Sequence, residues 1–228
     1  MALEIELVVF DIAGTVIKDD NYVRTMLKDV VSAYTSEVRS EDLDHVMGWP
    51  KPKALRYLLE RGSKDITSYD DIFLDKLHAE FVEKMISFFR DSNNLEEIGG
   101  ATEVFKELKS KGIKIALDTG FSRPIADIII KKLGWSDGIL DATVASDEVA
   151  NGRPKPDMIY HLMNKLNIKD ASYVAKVGDT ESDIKQGRHA GCGMVIGVTS
   201  GSCTEDELLS FKADYVIDSV RVLPEFWP

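Results

Sequence analysis

The chain has 228 residues, 44% of them hydrophobic, and carries 28 Lys and Arg against 39 Asp and Glu, for a net charge of -11. That charge repels nucleic acid and anionic lipid, the hydrophobic fraction argues against disorder, and no run approaches the roughly 18 apolar residues that a membrane span requires. Cys192 and Cys203 are too few for a disulfide framework, and their spacing fits no metal motif, so both read as idle thiols. The N-terminus lacks the basic start and apolar stretch of a secretory signal. The expectation is a cytoplasmic protein, monomeric or homodimeric, with no nucleic-acid or membrane partner. An anionic ligand would then need a local cluster of a metal ion, basic side chains or both.

In chain order, "IELVVFD" (5–11) reads as the first strand and ends in Asp11. An aspartate leaving a buried strand is placed to act as nucleophile or metal ligand, which the nearby Ala13 cannot be. The interval 18–95 follows without a convincing strand. It carries helical spacing in "VRTMLKDVVSAY" and "FLDKLHAEFVEKMISFF" and reads as an inserted α-helical cap domain. The polar stretch "RDSNNLEEIGGA" leads back, so the chain would cross near 17–21 and 91–99, two places for a hinge.

Beyond it, helix-length segments at 101–111, 122–134, 155–167 and 181–190 alternate with strands at 113–119, 142–147, 174–179, 194–200 and 213–219. The fold class predicted is α/β: a doubly wound, Rossmann-like parallel sheet formed by 1–17 and 96–228, with 18–95 as the cap. Ligands of such sheets sit beyond the carboxyl ends of the strands. Three strands there end in Asp11, Thr119 and Asp179. The acidic run "TEDEL" (204–208) reads as an exposed helix start, and Glu181 as a first-turn helix acid.

The ordered set "DIAGT", "LDTG", "GRPKPD" and "VGDTESD" resembles the haloacid dehalogenase superfamily of aspartate-nucleophile hydrolases over nearly the whole chain. The resemblance implies Asp11 as nucleophile, Thr119 and Gly120 as phosphoryl ligands, Arg153 as charge neutraliser, and Thr15 as a substrate contact. It also implies Mg²⁺ held by Asp11, the Ala13 carbonyl, Asp179 and Asp183. Such a metal offsets repulsion between a carboxylate and an anionic phosphoryl group. The register of "GRPKPD" favours Arg153 over Lys155, which is left solvated.

Most phosphatases of this superfamily carry a general acid two residues after the nucleophile, where this chain has Ala13. Together with Arg153, that resembles the phosphonatase branch, in which a cap lysine forms a Schiff base with an aldehyde and the imine replaces the acid. The segment "MGWPKPKAL" implies Lys51 as that lysine, with Trp49 and Pro50 shaping the substrate loop. Imine formation needs a neutral amine, hence a lowered pKa, to which Lys53 and Arg56 would contribute. The branch's histidine three residues later is Ala54 here, and His45 lies nearby in sequence. The expected substrate is a small-molecule phosphonate such as phosphonoacetaldehyde, or a phosphate. The alternatives are a phosphomonoesterase or phosphomutase with its acid supplied by the cap, and a non-catalytic binder of phosphorylated ligands.

Overall fold

The structure, a computed structural model, describes residues 4–35, 37–62, 69–91 and 95–227. Six strands form one parallel sheet in the order β3-β2-β1-β4-β5-β6: β1 (Leu7–Phe10), β2 (Lys114–Thr119), β3 (Ala142–Ala145), β4 (Val174–Gly178), β5 (Met194–Val198) and β6 (Tyr215–Ile217). The chain order reverses between β1 and β4, which puts the topological switch point beside the end of β1.

Burial on both faces follows from the alternation of side chains along a strand. Val8 and Phe10 join one apolar cluster with Val104, Phe105 and Leu108 of α5 (Ala101–Ser110) and Ile125 and Ile129 of α6 (Arg123–Lys132). Leu7 and Val9 join another with Met158 and Leu162 of α7 (Asp157–Leu166), Ile184 of α8 (Glu181–Ala190) and Leu208 of α9 (Glu205–Ser210). This is the doubly wound α/β architecture anticipated above.

Between β1 and α5 lies a helical layer of α1 (Tyr22–Ser32), α2 (Ser40–His45), α3 (Lys51–Gly62) and α4 (Asp71–Asp91). The apolar spacing of α4 buries Leu74, Leu77, Phe81, Met85 and Phe89 on one side. Its C-terminal end reaches the sheet unit, where Lys132 Nζ donates to the Phe89 carbonyl at 2.6 Å and the rings of Phe89 and Phe121 lie 6.1 Å apart. Bridges of Ile17 with Ala13 and Glu97 tie the outgoing and returning chain together. Part of the expected return crossing, 92–94, and part of the expected cap, 36 and 63–68, lie outside the described residues, as do 1–3 and 228.

Candidate active site

Asp11 is held at the end of β1 because its N–H still pairs with the Val177 carbonyl of β4 at 3.0 Å. The chain then folds into a tight turn over 12–17, with the Val16 N–H on the Ile12 carbonyl at 2.9 Å. Gly14 has φ +85°, and a Cβ there would fall 2.5 Å from Asp179 Oδ2, so only glycine lets the turn pass the carboxylate. Asp179, at the end of β4, accepts from Thr15 Oγ1 at 3.1 Å and from the Ser202 N–H at 2.7 Å.

Two cations are buried among these acids. Arg153, 1% exposed, directs Nη2 to Asp11 Oδ1 at 2.6 Å and Nη1 to Asp183 Oδ1. Lys176 of β4 bridges Asp118 of β2 and, at 3.1 Å, Asp183 Oδ1. Thr180 caps α8 and gives its hydroxyl to Asp183 Oδ2. Burial alone would raise the Asp183 carboxyl, but Arg153 and Lys176 outweigh it and hold the group below the usual carboxylate range. The opposite balance holds at Asp11, where burial outweighs Arg153 and lifts the carboxyl to about 6.

Lys51 enters from the helical layer as the first residue of α3 and is 3% exposed. Its Nζ donates to the Trp49 carbonyl at 3.4 Å and stands 5.6 Å from the centroid of the Phe121 ring. Burial first, and then Arg153, bring its pKa down to about 8 against the pull of Asp11, Asp19 and Asp183. The positive end of the α3 dipole acts in the same sense.

One cavity joins Asp11, Ala13, Lys51, Thr119, Gly120 and Arg153, all singled out from the sequence. Its remaining wall includes Val23, Met47 and Phe121, and its free volume of about 20 Å³ has room for roughly one water. Thr119 Oγ1 accepts from the Phe121 N–H at 3.1 Å.

The other two expected substrate contacts, Thr15 and Trp49, do not line this cavity. Thr15 turns its hydroxyl to Asp179 because the tight turn directs it there. Trp49 meets the rings of His45 and Tyr57 edge-to-face, with centroids 5.2 and 5.7 Å away, and its carbonyl accepts from Lys51. His45 is exposed and occupied with this packing, while Ala54 is buried one turn beyond Lys51, so neither carries an imidazole to the cavity.

Oxygens of Asp11, Asp179 and Asp183 lie within 4.8 Å of one another. Hard carboxylate donors of this kind suit Mg²⁺. Burial first, and then Asp11 and Asp183, push the Asp179 carboxyl up to about 8, so without a cation its ionised form is disfavoured at neutral pH, and a bound divalent ion would favour it. The acid triad therefore fits a divalent ion. Within it, Asp183 meets the two cations Arg153 and Lys176 as well as Thr180, whereas the oxygens of Asp179 meet only the neutral donors Thr15 and Ser202, which leaves more of its charge for an ion.

Sequence reasoning assigned no role to Lys176, Asp118, Phe121, Thr180 or Ser202. Only Lys176 left a signal: a lysine inside the otherwise apolar "VAKVG" requires a buried partner.

The fold, the aspartate at the end of β1 and the acid cluster across from it are those of a hydrolase family. Residues 8–197 match the haloacid dehalogenase-like hydrolases, and the chain belongs to that family. Among individual proteins it is similar to the phosphonoacetaldehyde hydrolase of Bacillus cytotoxicus, 29% identical over 255 aligned positions that cover 98% of this chain and 95% of that one. A phosphonoacetaldehyde hydrolase-like protein from Oleispira antarctica superposes with a TM-score of 0.83 at 24% identity, covering 97% and 91% of the two chains. A β-phosphoglucomutase from Clostridium difficile shares the fold with a TM-score of 0.81 at 22% identity, covering 96% and 93%.

Proposed function

We propose that this hydrolase cleaves the phosphorus–carbon bond of phosphonoacetaldehyde or a closely related small phosphonate, with Mg²⁺ as its metal and residues 18–95 acting as a cap. The observation that carries the reading is a buried lysine with a pKa near 8 sharing a cavity with Asp11, where Ala13 offers a methyl group in place of an acid. The relatives named phosphonoacetaldehyde hydrolase support it.

In this reading the neutral Lys51 amine attacks the aldehyde carbon, and loss of water gives an imine that takes up a proton. Asp11 then attacks phosphorus. The phosphorus–carbon bond breaks, and its electron pair moves into the adjacent carbon–nitrogen system as an enamine, so no acid is needed at position 13. Protonation at carbon and hydrolysis free acetaldehyde and return the lysine. Water releases phosphate from Asp11.

Arg153 aligns Asp11 and bears charge on the phosphoryl oxygens, while Thr119 and the amides around Gly120 donate to them. Mg²⁺, held by Asp11 and Asp179, would offset the repulsion between the attacking carboxylate and the phosphonate. Because the cavity has room for about one water, substrate enters with the helical layer raised, and closure brings Lys51 to it and excludes solvent.

Borohydride reduction during turnover of phosphonoacetaldehyde tests this. A two-carbon adduct is expected on Lys51, and it should be missing in Lys51→Arg, which keeps the cation but forms no imine. Cleavage that continues in Lys51→Arg would reduce Lys51 to a clamp for the substrate anion.

A further inference from the structure

Lys176 is the middle residue of β4, a strand buried along its whole length. An ammonium in such a place persists only where carboxylates surround it. Its Nζ meets Asp118 and lies 3.1 Å from Asp183 Oδ1. The same oxygen of Asp183 receives Arg153 Nη1, and Arg153 Nη2 reaches Asp11 at 2.6 Å. Charges thus alternate along Asp118, Lys176, Asp183, Arg153 and Asp11, across β2, β4, α8 and the end of β1.

Two orphaned atoms show how this chain is anchored. Among the described residues Arg153 Nε has no hydrogen-bond partner, so the plane of its guanidinium is set by the two Nη contacts. Asp118 Oδ2 likewise has no partner among the described residues, so of these Lys176 is the group that fixes that carboxylate. We propose that Lys176, aligned by Asp118, is a positioning residue that fixes Asp183 and through it the Arg153 guanidinium on Asp11. The inference rests on the reading of Asp11 and Arg153 as the reacting centre. Without Lys176, Asp183 keeps Thr180 and Arg153 as partners but loses the second cation on the oxygen that receives Arg153, and the guanidinium is freer to swing.

The test compares wild type, Lys176→Met and the double variant Lys176→Met/Asp118→Leu in the full chain with Mg²⁺. The readouts are Tm, affinity for inorganic phosphate by calorimetry, and kcat and KM for phosphonoacetaldehyde. Lys176→Met leaves Asp118 as an unpaired buried charge, so its Tm should fall or the chain should fail to fold. The double variant removes both charges and should recover Tm. Its phosphate affinity and kcat should nevertheless stay about 10- to 100-fold below wild type, the range usual for lost supporting contacts. A folded double variant with wild-type phosphate affinity and kcat would overturn the proposal and leave the pair a packing feature. If wild type itself fails to cleave phosphonoacetaldehyde, the substrate reading falls, while the phosphate measurement still decides the role of Lys176.

Discussion

At position 13 a methyl group faces the same cavity as Asp11 and Lys51, and its consequence depends on the bond being cleaved. If carbon leaves as an enamine, Ala13→Asp adds negative charge beside Asp11 and should lower phosphonoacetaldehyde turnover. If an alkoxide leaves from a phosphate ester, the new carboxyl supplies general acid catalysis, whose usual contribution is about 10²- to 10⁴-fold. Parallel assays of Ala13→Asp on both substrates, with ester hydrolysis unimproved and phosphonate cleavage impaired, are the expected result. A gain on phosphate esters with phosphonate cleavage absent in both proteins would favour the phosphatase reading. These side chains were legible in the sequence because each ends a strand or sits in a short motif. The Lys176–Asp118 pair was not, since its partners lie 58 residues apart and only the parallel alignment of β1, β2 and β4 brings them together.

Besides the end of α4, the loop before α3 also brings the helical layer against the sheet unit. A Cβ on Gly120 would lie 2.8 Å from the Trp49 carbonyl oxygen and 2.9 Å from that of Gly48, so the two backbones meet where only hydrogen fits. Gly120→Ala should hold this loop off the sheet and displace Lys51 from the cavity. Tm is expected to fall as well, because the atoms that must give way are backbone, while kcat/KM falls on the order of 10²-fold, as misplacement by about 1 Å commonly costs. Unchanged kinetics would mean that the loop does not need to seat for turnover. The strands and the long α4 were readable from periodicity. The short α2 was not, having one apolar residue, Leu43, in its six, and α3 was obscured by its "KPK" start, in which Pro52 occupies a first-turn position open to proline. No helix among the described residues is long and apolar enough to cross a membrane.

For the molecule as a whole, the acid cluster links stability to pH and to metal. The Asp179 carboxyl, lifted by burial and then by Asp11 and Asp183, titrates at about 8 when folded, against roughly 3.9 when unfolded. Between those values the folded chain binds more protons than the unfolded one, so metal-free stability falls as pH rises. Asp11, raised by burial to about 6, contributes in the same direction only up to that pH. His78, lowered chiefly by burial, acts oppositely but below the ordinary imidazole value, and Lys51, brought down to about 8, offsets a growing part of the Asp179 effect as pH approaches that value. Between pH 7 and 8 Asp179 still outweighs Lys51, and the net fall is somewhat under about 1 kcal/mol over that pH unit. In chelator, Tm should drop by about 2–4 °C over that unit. Mg²⁺ binds the ionised carboxylates and should raise Tm more at pH 8 than at pH 7. Asp179→Asn carries no titrating charge, so it should lose both the slope and most of the response to Mg²⁺. Thermal scans of the two proteins at pH 7 and 8, with chelator or Mg²⁺, decide the matter: an Asp179→Asn chain that keeps the wild-type slope would remove Asp179 as its source, and one that keeps the full Mg²⁺ response would move the ion to other ligands.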